Sequence, residues 1–397
     1  MTHIEQMIKD MCPHGVEWKQ LGEVCTIETG KLNANAAVEG GQYPFFTTSK
    51  EISYINDYKW DTEALLIAGN ANIGDVKHYI GKFNAYQRTY VLTSFEESLI
   101  VRFLYHYTKA RLRDFLDDKK NEAAMSYIVL SSLQAFPVPI PPLDIQKKIV
   151  ECLDKFSALA AELQAELQAR RKQYEFYRTQ LLTPPQNISS DNSTDERNWK
   201  WKTLGEIGEM IKGSGIQKSD FVDEGKPCIH YGQVHTYYGT FAYTNKSFIS
   251  EELYAKCKKA HTGDLIIATT SEDVEACCKA TAWLGTEDVA VSGDAHIYRH
   301  NQNPKYMAYL FQTEMFAQQK RKCATGAKVT RVHSNDILKF RFAFPPLAEQ
   351  ARIVTILDKF EALTNSLSDG IPAEQAAQQK RYEYYRDLLL TFDSKAV

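Results

Sequence analysis

Apolar side chains set a 4-3-4-3 rhythm over one long stretch of this chain. Ile149, Leu153, Phe156, Ala160, Leu163, Leu167, Arg170, Tyr174, Tyr177 and Leu181 follow it without a break, and only Arg170 is charged. An apolar position every three or four residues is the seam of a helix packed on another helix. The pattern predicts one helix from Leu143 onward, about 39 residues and roughly 58 Å long at 1.5 Å per residue. Pro184-Pro185 ends it. The seam returns as Ile353, Leu357, Phe360, Thr364 and Leu367, then meets Asp369-Gly370-Ile371-Pro372. Glycine after one helix and proline at the start of the next is a stop-start signature. The rhythm resumes with Tyr382, Tyr385 and Leu389. Antiparallel pairing of the two helices buries both seams most simply; the alternative is that each seam packs on its own globular domain.

The seams belong to a larger repeat. Pro141-Pro142-Leu143-Asp144-Ile145-Gln146-Lys147-Lys148-Ile149-Val150-Glu151-Cys152-Leu153-Asp154-Lys155-Phe156 returns at 345–360 with ten of sixteen positions identical. Tyr174-Glu175-Phe176-Tyr177-Arg178 returns as Tyr382-Glu383-Tyr384-Tyr385-Arg386, and Trp18-Lys19-Gln20-Leu21-Gly22-Glu23 as Trp201-Lys202-Thr203-Leu204-Gly205-Glu206. Between these marks the two halves share little. The one echo is a buried-strand run, Ala64-Leu65-Leu66-Ile67-Ala68 against Leu265-Ile266-Ile267-Ala268. The reading is an α+β chain with a pseudo-twofold internal repeat: an N-terminal segment 1–15, a mixed α/β domain 16–142, a central helix 143–183, a polar linker 184–198, a second mixed domain 199–344 and a C-terminal helix 345–397. Such a duplicated shape suits partners or ligands that are themselves twofold.

Composition narrows the class only moderately. Hydrophobic content of 44% over 397 residues fits globular domains, and no run of eighteen apolar residues is present, so no membrane span is expected. The first ten residues lack an apolar signal region, which points to the cytoplasm. The eight cysteines include no Cys-x-x-Cys pair, so free thiols are expected and no metal site. A net charge of −3 is not that of a strong standalone nucleic-acid binder. Binding depends on where Lys and Arg lie, so the balance does not exclude a nucleic-acid ligand, and it implies that any DNA binding is shared with a partner.

Two unlike globular segments, each followed by a similar Pro-Pro-Leu…Gln…Ile-Val…Leu-Asp-Lys-Phe helix ending in Tyr-Glu-(Phe/Tyr)-Tyr-Arg, resemble the specificity (S) subunit of type I restriction-modification systems. The resemblance covers nearly the whole chain. It implies two target-recognition domains, each reading one half of a split double-stranded DNA sequence. It also implies an antiparallel coiled coil that sets the gap and docks two modification (methyltransferase) subunits, with restriction (motor-nuclease) subunits left open as a further partner. No cofactor is expected in this chain; S-adenosylmethionine and ATP belong to the partners. Unlike domains imply unlike half-sites.

Candidate residues follow from chemistry and position. Arg or Lys reads guanine, Asn or Gln reads adenine, and small polar groups position phosphates. In the first domain these are Thr47, Thr48, Ser49, Lys50, Asn70, Asn72, Gln87 and Arg88. In the second they are His230, Tyr231, Gln233, His235, Thr269, Thr270, Ser271, Lys328, Thr330 and Arg331, of which the Gly326–Arg331 stretch is the most persuasive. For partner docking, the exposed helix faces are expected to carry Gln146, Lys147, Lys155, Arg171 and Lys172, and Gln350, Arg352, Lys359, Lys380 and Arg381. No catalytic residues are assigned. The Asn/Asp-Pro-Pro-Tyr/Phe turn of an amino-methyltransferase is missing. Met210–Gly215 reads as a turn rather than a cofactor loop, and Asp294 with His296 has no identifiable nucleophile. A freestanding methyltransferase of unusual motif and a coiled-coil adaptor without a DNA role remain the alternatives.

Overall fold

The computed structural model describes residues 3–120, 127–185, 199–326, 329–365 and 370–394. Leu367, Lys328 and the linker 186–198 lie outside them. The chain forms two units, residues 1–165 with 373–397, and residues 166–372.

In the first unit, helix α1 (His3–Met11) leads to β1 (Glu17–Gln20) and the one-turn α2 (Leu21–Val24). A six-stranded sheet follows from β2 (Thr26–Thr29), β3 (Tyr43–Phe46), β4 (Ser53–Ile55), β5 (Trp60–Ala68), β6 (Val76–Ala85) and β7 (Thr89–Thr93), in the order β2-β7-β5-β6-β3-β4. Only β3 and β6 run parallel. Helices α3 (Val101–Lys120) and α4 (Leu130–Gln134) follow, and β8 (Pro137–Ile140) returns to pair antiparallel with β1. The segment that leaves the domain is thus a strand despite Pro137 and Pro139, tolerated because it belongs to a two-stranded ribbon. Strand β5 is buried on both faces. Leu65 and Ile67 meet α3 in the main core, while Ala64 and Leu66 join Phe46, Trp60 and Phe83 on the other side. That is why its sequence is a continuous apolar run rather than an alternation.

The second domain begins with β9 (Lys200–Thr203), α6 (Leu204–Ile207) and β10 (Gly208–Lys212). It continues through β11 (Lys226–Ile229), α7 (Tyr231–Thr236), β12 (Phe241–Ala242), β13 (Ser247–Ile249), α8 (Glu251–Lys256), β14 (Lys259–Ala260) and β15 (Leu265–Ala268). Then come β16 (Thr270–Ser271), β17 (Lys279–Trp283), β18 (Val289–Val291), β19 (Ala295–His300), α9 (Pro304–Leu310), α10 (Glu314–Cys323), β20 (Thr330–Arg331), α11 (Ser334–Ile337) and β21 (Arg341–Phe344). Its strands form two sheets, β10-β19-β15-β17-β12 and β13-β11-β18-β14, and β21 pairs with β9 as β8 does with β1.

Beneath their unlike sequences the two domains repeat one plan. The order β2-β7-β5-β6 recurs as β10-β19-β15-β17. The parallel pairing of β3 with the end of β6 recurs as β11 with β18, and antiparallel β3–β4 as β11–β13. The second domain is longer through two insertions, one carrying α7 and β12, the other α8 and β14. The segment 210–215 is not a turn: Met210–Lys212 is strand, and Gly213 is pressed on a neighbouring backbone. A Cβ there would stand 2.1 Å from the Ser292 carbonyl oxygen, and one on Gly30 would stand 1.9 Å from that of Ala85. Both glycines permit the same close crossing, so this is packing rather than a cofactor loop.

The long helices are α5 (Leu143–Leu182), α12 (Leu347–Asn365) and α13 (Ile371–Leu389). Within the first unit α5 pairs with α13. Phe156 packs on Tyr382 and Tyr385, and Gln375 Nε2 donates to Gln164 Oε1 at 3.0 Å. Contacts that climb α5 descend α13, so the pair is antiparallel. Within the second unit, Tyr174 and Tyr177 stack on Phe360 of α12, and the Tyr174 hydroxyl donates to Glu361 Oε2 at 3.1 Å. Leu163, Leu167 and Tyr174 are buried along the seam, whereas Ala160 and Tyr177 are exposed. Both packing modes coexist. The first turns of each repeat, Ile149 and Leu153 or Ile353 and Leu357, belong to their own domain's core, and later turns meet the partner helix. Leu389, Leu390 and Phe392 also enter the first domain's core, and Val16 N donates to the Asp393 carbonyl at 2.9 Å.

Each domain is fastened to its helix by the same two side chains. Gln146 is fully buried, not exposed as the polar residue suggests. Its Nε2 donates to the Ser98 and Pro141 carbonyls at 2.8 Å each, and its Oε1 accepts from Ile100 N at 2.7 Å. Gln350 is likewise buried, donating to the Pro345 carbonyl at 2.9 Å and Gln302 Oε1 at 2.7 Å and accepting from Asn303 N at 3.0 Å. Two turns on, Asp154 Oδ1 accepts from Arg102 Nη2 at 2.7 Å and His106 Nε2 at 2.8 Å. Asp358 accepts from Lys305 Nζ at 2.6 Å and the Tyr309 hydroxyl at 2.8 Å. Arg102 and His106 are one turn apart on α3, as Lys305 and Tyr309 are on α9. Burial alone would raise the Asp154 carboxyl, but these bonds and charges hold it below the ordinary range. Burial pushes His106 down despite Asp154, so at neutral pH its Nε2–H tautomer is the one that can donate to the carboxylate.

Two predictions follow from these buried groups. Gln350→Ala strips partners from a buried amide hydrogen and a carbonyl, and it lowers unfolding stability by about 1–3 kcal/mol, measured by urea titration. His106 is held low and burial pushes His300 down to about 4. Their contribution is therefore complete above the unfolded histidine value of about 6.5 and declines as pH falls below it. The depressed Asp154 adds a loss only below about pH 4. The thermal midpoint is thus expected to fall between pH 7 and pH 5; a flat midpoint over that range would sink this assignment.

Candidate nucleic-acid interface

In the first domain the loop after β3 and the hairpin joining β5 to β6 are tied together. Thr48 is buried, and its carbonyl accepts from Asn72 Nδ2 at 2.7 Å. Lys77 Nζ donates to the Ser49 carbonyl at 2.9 Å and to Asp75 at 2.7 Å. Thr47 Oγ1 accepts from Ser49 N at 3.2 Å, so the loop also closes on itself. Ser49 and Lys50 are left exposed. Gln87 and Arg88 are exposed in the turn between β6 and β7, where Gln87 N donates to the Leu32 carbonyl at 2.9 Å.

In the second domain several candidates serve the fold. His230 is buried and caps α7, its Nδ1 accepting from Gly232 N at 3.2 Å. Gln233 Oε1 accepts from His230 N at 2.9 Å, and its Nε2 donates to Ser247 Oγ at 2.6 Å. Tyr231 is half-buried against the His230 ring. Thr269 and Thr330 are buried, and Thr269 Oγ1 meets His296 Nδ1 at 3.1 Å. The latter contact gives His296 a local partner, and burial holds it below its ordinary value. Thr270, Ser271 and Arg331 stand together on the β16–β20 ribbon, with His235 Nε2 at 3.0 Å from the Thr270 carbonyl.

One place recurs in both domains. Beyond the buried run of β5, Asn70 bridges antiparallel to Tyr127; beyond that of β15, Thr270 pairs with Arg331. The next step matches too, with Ile128 N donating to the Gly69 carbonyl at 2.7 Å and Val332 N to the Thr269 carbonyl at 3.2 Å. Immediately before β7 stands Arg88, and immediately before β19 stands Asp294. The Arg88 guanidinium lies over the Tyr127 ring, 5.5 Å from its centre. Asp294 Oδ1 is 3.8 Å from Arg331 Nη2. The backbone is shared and the chemistry is exchanged: cation on aromatic in one domain, carboxylate beside cation in the other. Tyr127 was missed by sequence reading, and Asp294 was weighed only for acid-base chemistry. The signal available was the common strand that precedes each pair.

On the helices, Lys147, Lys155, Arg171, Lys172, Arg352, Lys359, Lys380 and Arg381 are exposed. So are Phe176 and Tyr384, large aromatics at the same place in the two copies of the terminal motif. Among the described residues, no group of three or more His, Cys, Asp or Glu side chains could hold a metal ion, and all eight cysteines are free thiols.

The model of the type I restriction modification DNA specificity domain matches this chain twice, at residues 13–170 and 196–375. A putative type I restriction enzyme specificity subunit from Haemophilus influenzae is 32% identical over 402 residues, covering 95% of this chain and 96% of that one. The Escherichia coli EcoR124I/EcoR124II specificity subunit is 29% identical, covering 99% and 97%. The crystal structure of the S subunit from M. genitalium has the same fold, with a TM-score of 0.55 at 15% identity over 94% of this chain and 95% of that one. A chain from a structural study of complex assembly in the type I restriction-modification system scores 0.56 at the same identity. With two matched copies spanning most of its length, and relatives of equal extent, this chain belongs to the type I restriction-modification specificity-subunit family.

Proposed function

We propose that this chain is the non-catalytic, sequence-reading subunit of a type I restriction-modification complex. Each globular domain reads one half of a bipartite double-stranded DNA target. The paired helices set the gap and dock two methyltransferase subunits, whose S-adenosylmethionine supplies the methyl group. ATP-driven restriction, where present, belongs to a further subunit. The observation that carries this reading is one sheet plan and one Gln–Asp fastening used twice, under surface residues that differ. A reader of two unlike half-sites needs that combination: constant support and variable contacts. The exposed basic helix faces and the duplicated Phe176 and Tyr384 favour a partner bound twice. Among the described residues no helix is long and apolar enough to cross a membrane, and the complex is assigned to the cytoplasm, where its DNA lies.

Co-expression with the methyltransferase subunit in a host lacking DNA methylation, followed by genome-wide mapping of methyl-adenine, tests the reading. One motif of two unlike half-sites around a fixed gap is expected. Methylation by this chain alone would instead identify a freestanding methyltransferase. A folded complex that marks and binds no DNA would identify an adaptor.

The helix repeat offers a second test. Ala161-Glu162-Leu163-Gln164 is followed at once by Ala165-Glu166-Leu167-Gln168. Each copy contributes one buried leucine among exposed neighbours. Four helical residues add about 6 Å and turn the helix by about 40°. One base pair adds about 3.4 Å and roughly 35°. The turn matches that of one base pair while the rise exceeds it, so inserting one tetrapeptide is expected to lengthen the unspecified gap by about one base pair in the same methylation map, with both half-sites unchanged.

A further inference from the structure

We infer that the two equivalent surface pairs, Arg88–Tyr127 and Asp294–Arg331, are specificity-determining pairs, one for each half-site, and that their arginines read guanine. This rests on the DNA-reading role proposed above and assigns that role to particular side chains.

The inference stands on three observations. First, the pairs occupy one structural place, set by the matching bridges Asn70–Tyr127 and Thr270–Arg331 and by the turns before β7 and β19. Secondly, all four residues are exposed in their domains, so the sheet does not dictate their identity. Elsewhere in the shared plan, at the Gly30 and Gly213 crossings and the buried runs of β5 and β15, side-chain character is held constant. Here it is exchanged. Thirdly, each pair leaves donors available. Among the described residues the Arg88 guanidinium has the Tyr127 ring beneath it and no hydrogen-bond acceptor. An arginine resting on a ring keeps its in-plane N–H edge for a partner. Arg331 Nε donates to Thr270 Oγ1 at a long 3.4 Å, and Nη2 is 3.8 Å from Asp294. These contacts orient the fork without saturating it.

A guanidinium with a free fork matches the O6 and N7 acceptors of guanine in the major groove. The carboxylate of Asp294 suits the cytosine amino group and repels phosphate, which favours a position over base edges rather than along the backbone. In the second domain half-buried Ser271 follows Thr270 on the same ribbon, and in the first Asn72, two residues beyond Asn70, ties down the loop that carries exposed Ser49 and Lys50.

The test uses the full complex with its methyltransferase subunit and the methyl-adenine map. Arg331→Gln is expected to weaken the preference for guanine at one position of the second domain's half-site by tenfold or more, and to leave the other half-site intact. Arg88→Gln is expected to do the same to the first domain's half-site alone. Both residues are exposed, and their backbone pairings survive substitution, so the complexes should assemble with unchanged thermal midpoints. Two assembled variants that mark the wild-type motif with unaltered base preference would overturn the inference and leave the specificity-subunit reading standing. An assembled wild-type complex that marks no motif would overturn both. Loss of all methylation by an assembled Arg331→Gln complex, with DNA affinity reduced equally on every sequence, would identify a phosphate contact and also overturn the inference.

Discussion

A buried glutamine amide at the start of each long helix is the constraint from which the rest of each half is built. An amide in an apolar core is tolerable only when its donors and acceptor are met. Gln146 and Gln350 meet theirs at the strand exit and at the chain entering the domain helix. Those partners exist only if sheet, domain helix and long helix are already in register. The carboxylates of Asp154 and Asp358, two turns further along, then fix the rotation of the long helix against α3 or α9. Directional bonds suit this task better than apolar contact alone, because apolar packing tolerates small slips.

This fastening explains how divergence is distributed. Residues that join domain to helix keep one design in both halves, down to the spacing of the paired donors on α3 and α9. The sheets keep their order and their crowded crossings at Gly30 and Gly213. The strand ends change freely, because they lie beyond the buried runs, and the insertions add a layer of their own, with Val234, Ala242 and Ala260 buried against Ile266 and Ala268 of β15. A recognition protein built this way can alter what it reads without altering where its reading surface is held.

Much of the framework was legible in the sequence. The seam predicted α5 nearly to its ends, and Gly370 with Pro372 marked the start of α13. The buried runs of β5 and β15 were readable because burial on both faces removes alternation. Gln146 and Gln350 were misread as exposed. Each sits one seam step before Ile149 or Ile353, so spacing pointed inward while polarity pointed outward, and spacing prevailed. The common sheet order was not legible, since strand pairing is a non-local property carried by backbone bonds that many side chains satisfy. The candidate contact residues were only partly legible. Thr48, His230, Thr269 and Thr330 have the right chemistry yet are buried, and burial at strand and helix ends depends on neighbours distant in sequence. Lys328 lies outside the described residues.

The first unit draws on both ends of the sequence, whereas the second is one continuous stretch. Leu389, Leu390 and Phe392 complete a core begun by Val16 and Leu21. During synthesis, which releases the chain from its N-terminus, the earlier-made domain therefore lacks part of its interior until Phe392 has emerged. The later-made domain has all of its own pieces sooner. Maturation thus runs against the order of translation, and until it finishes the newborn chain carries an uncovered apolar surface on the very domain that has waited longest.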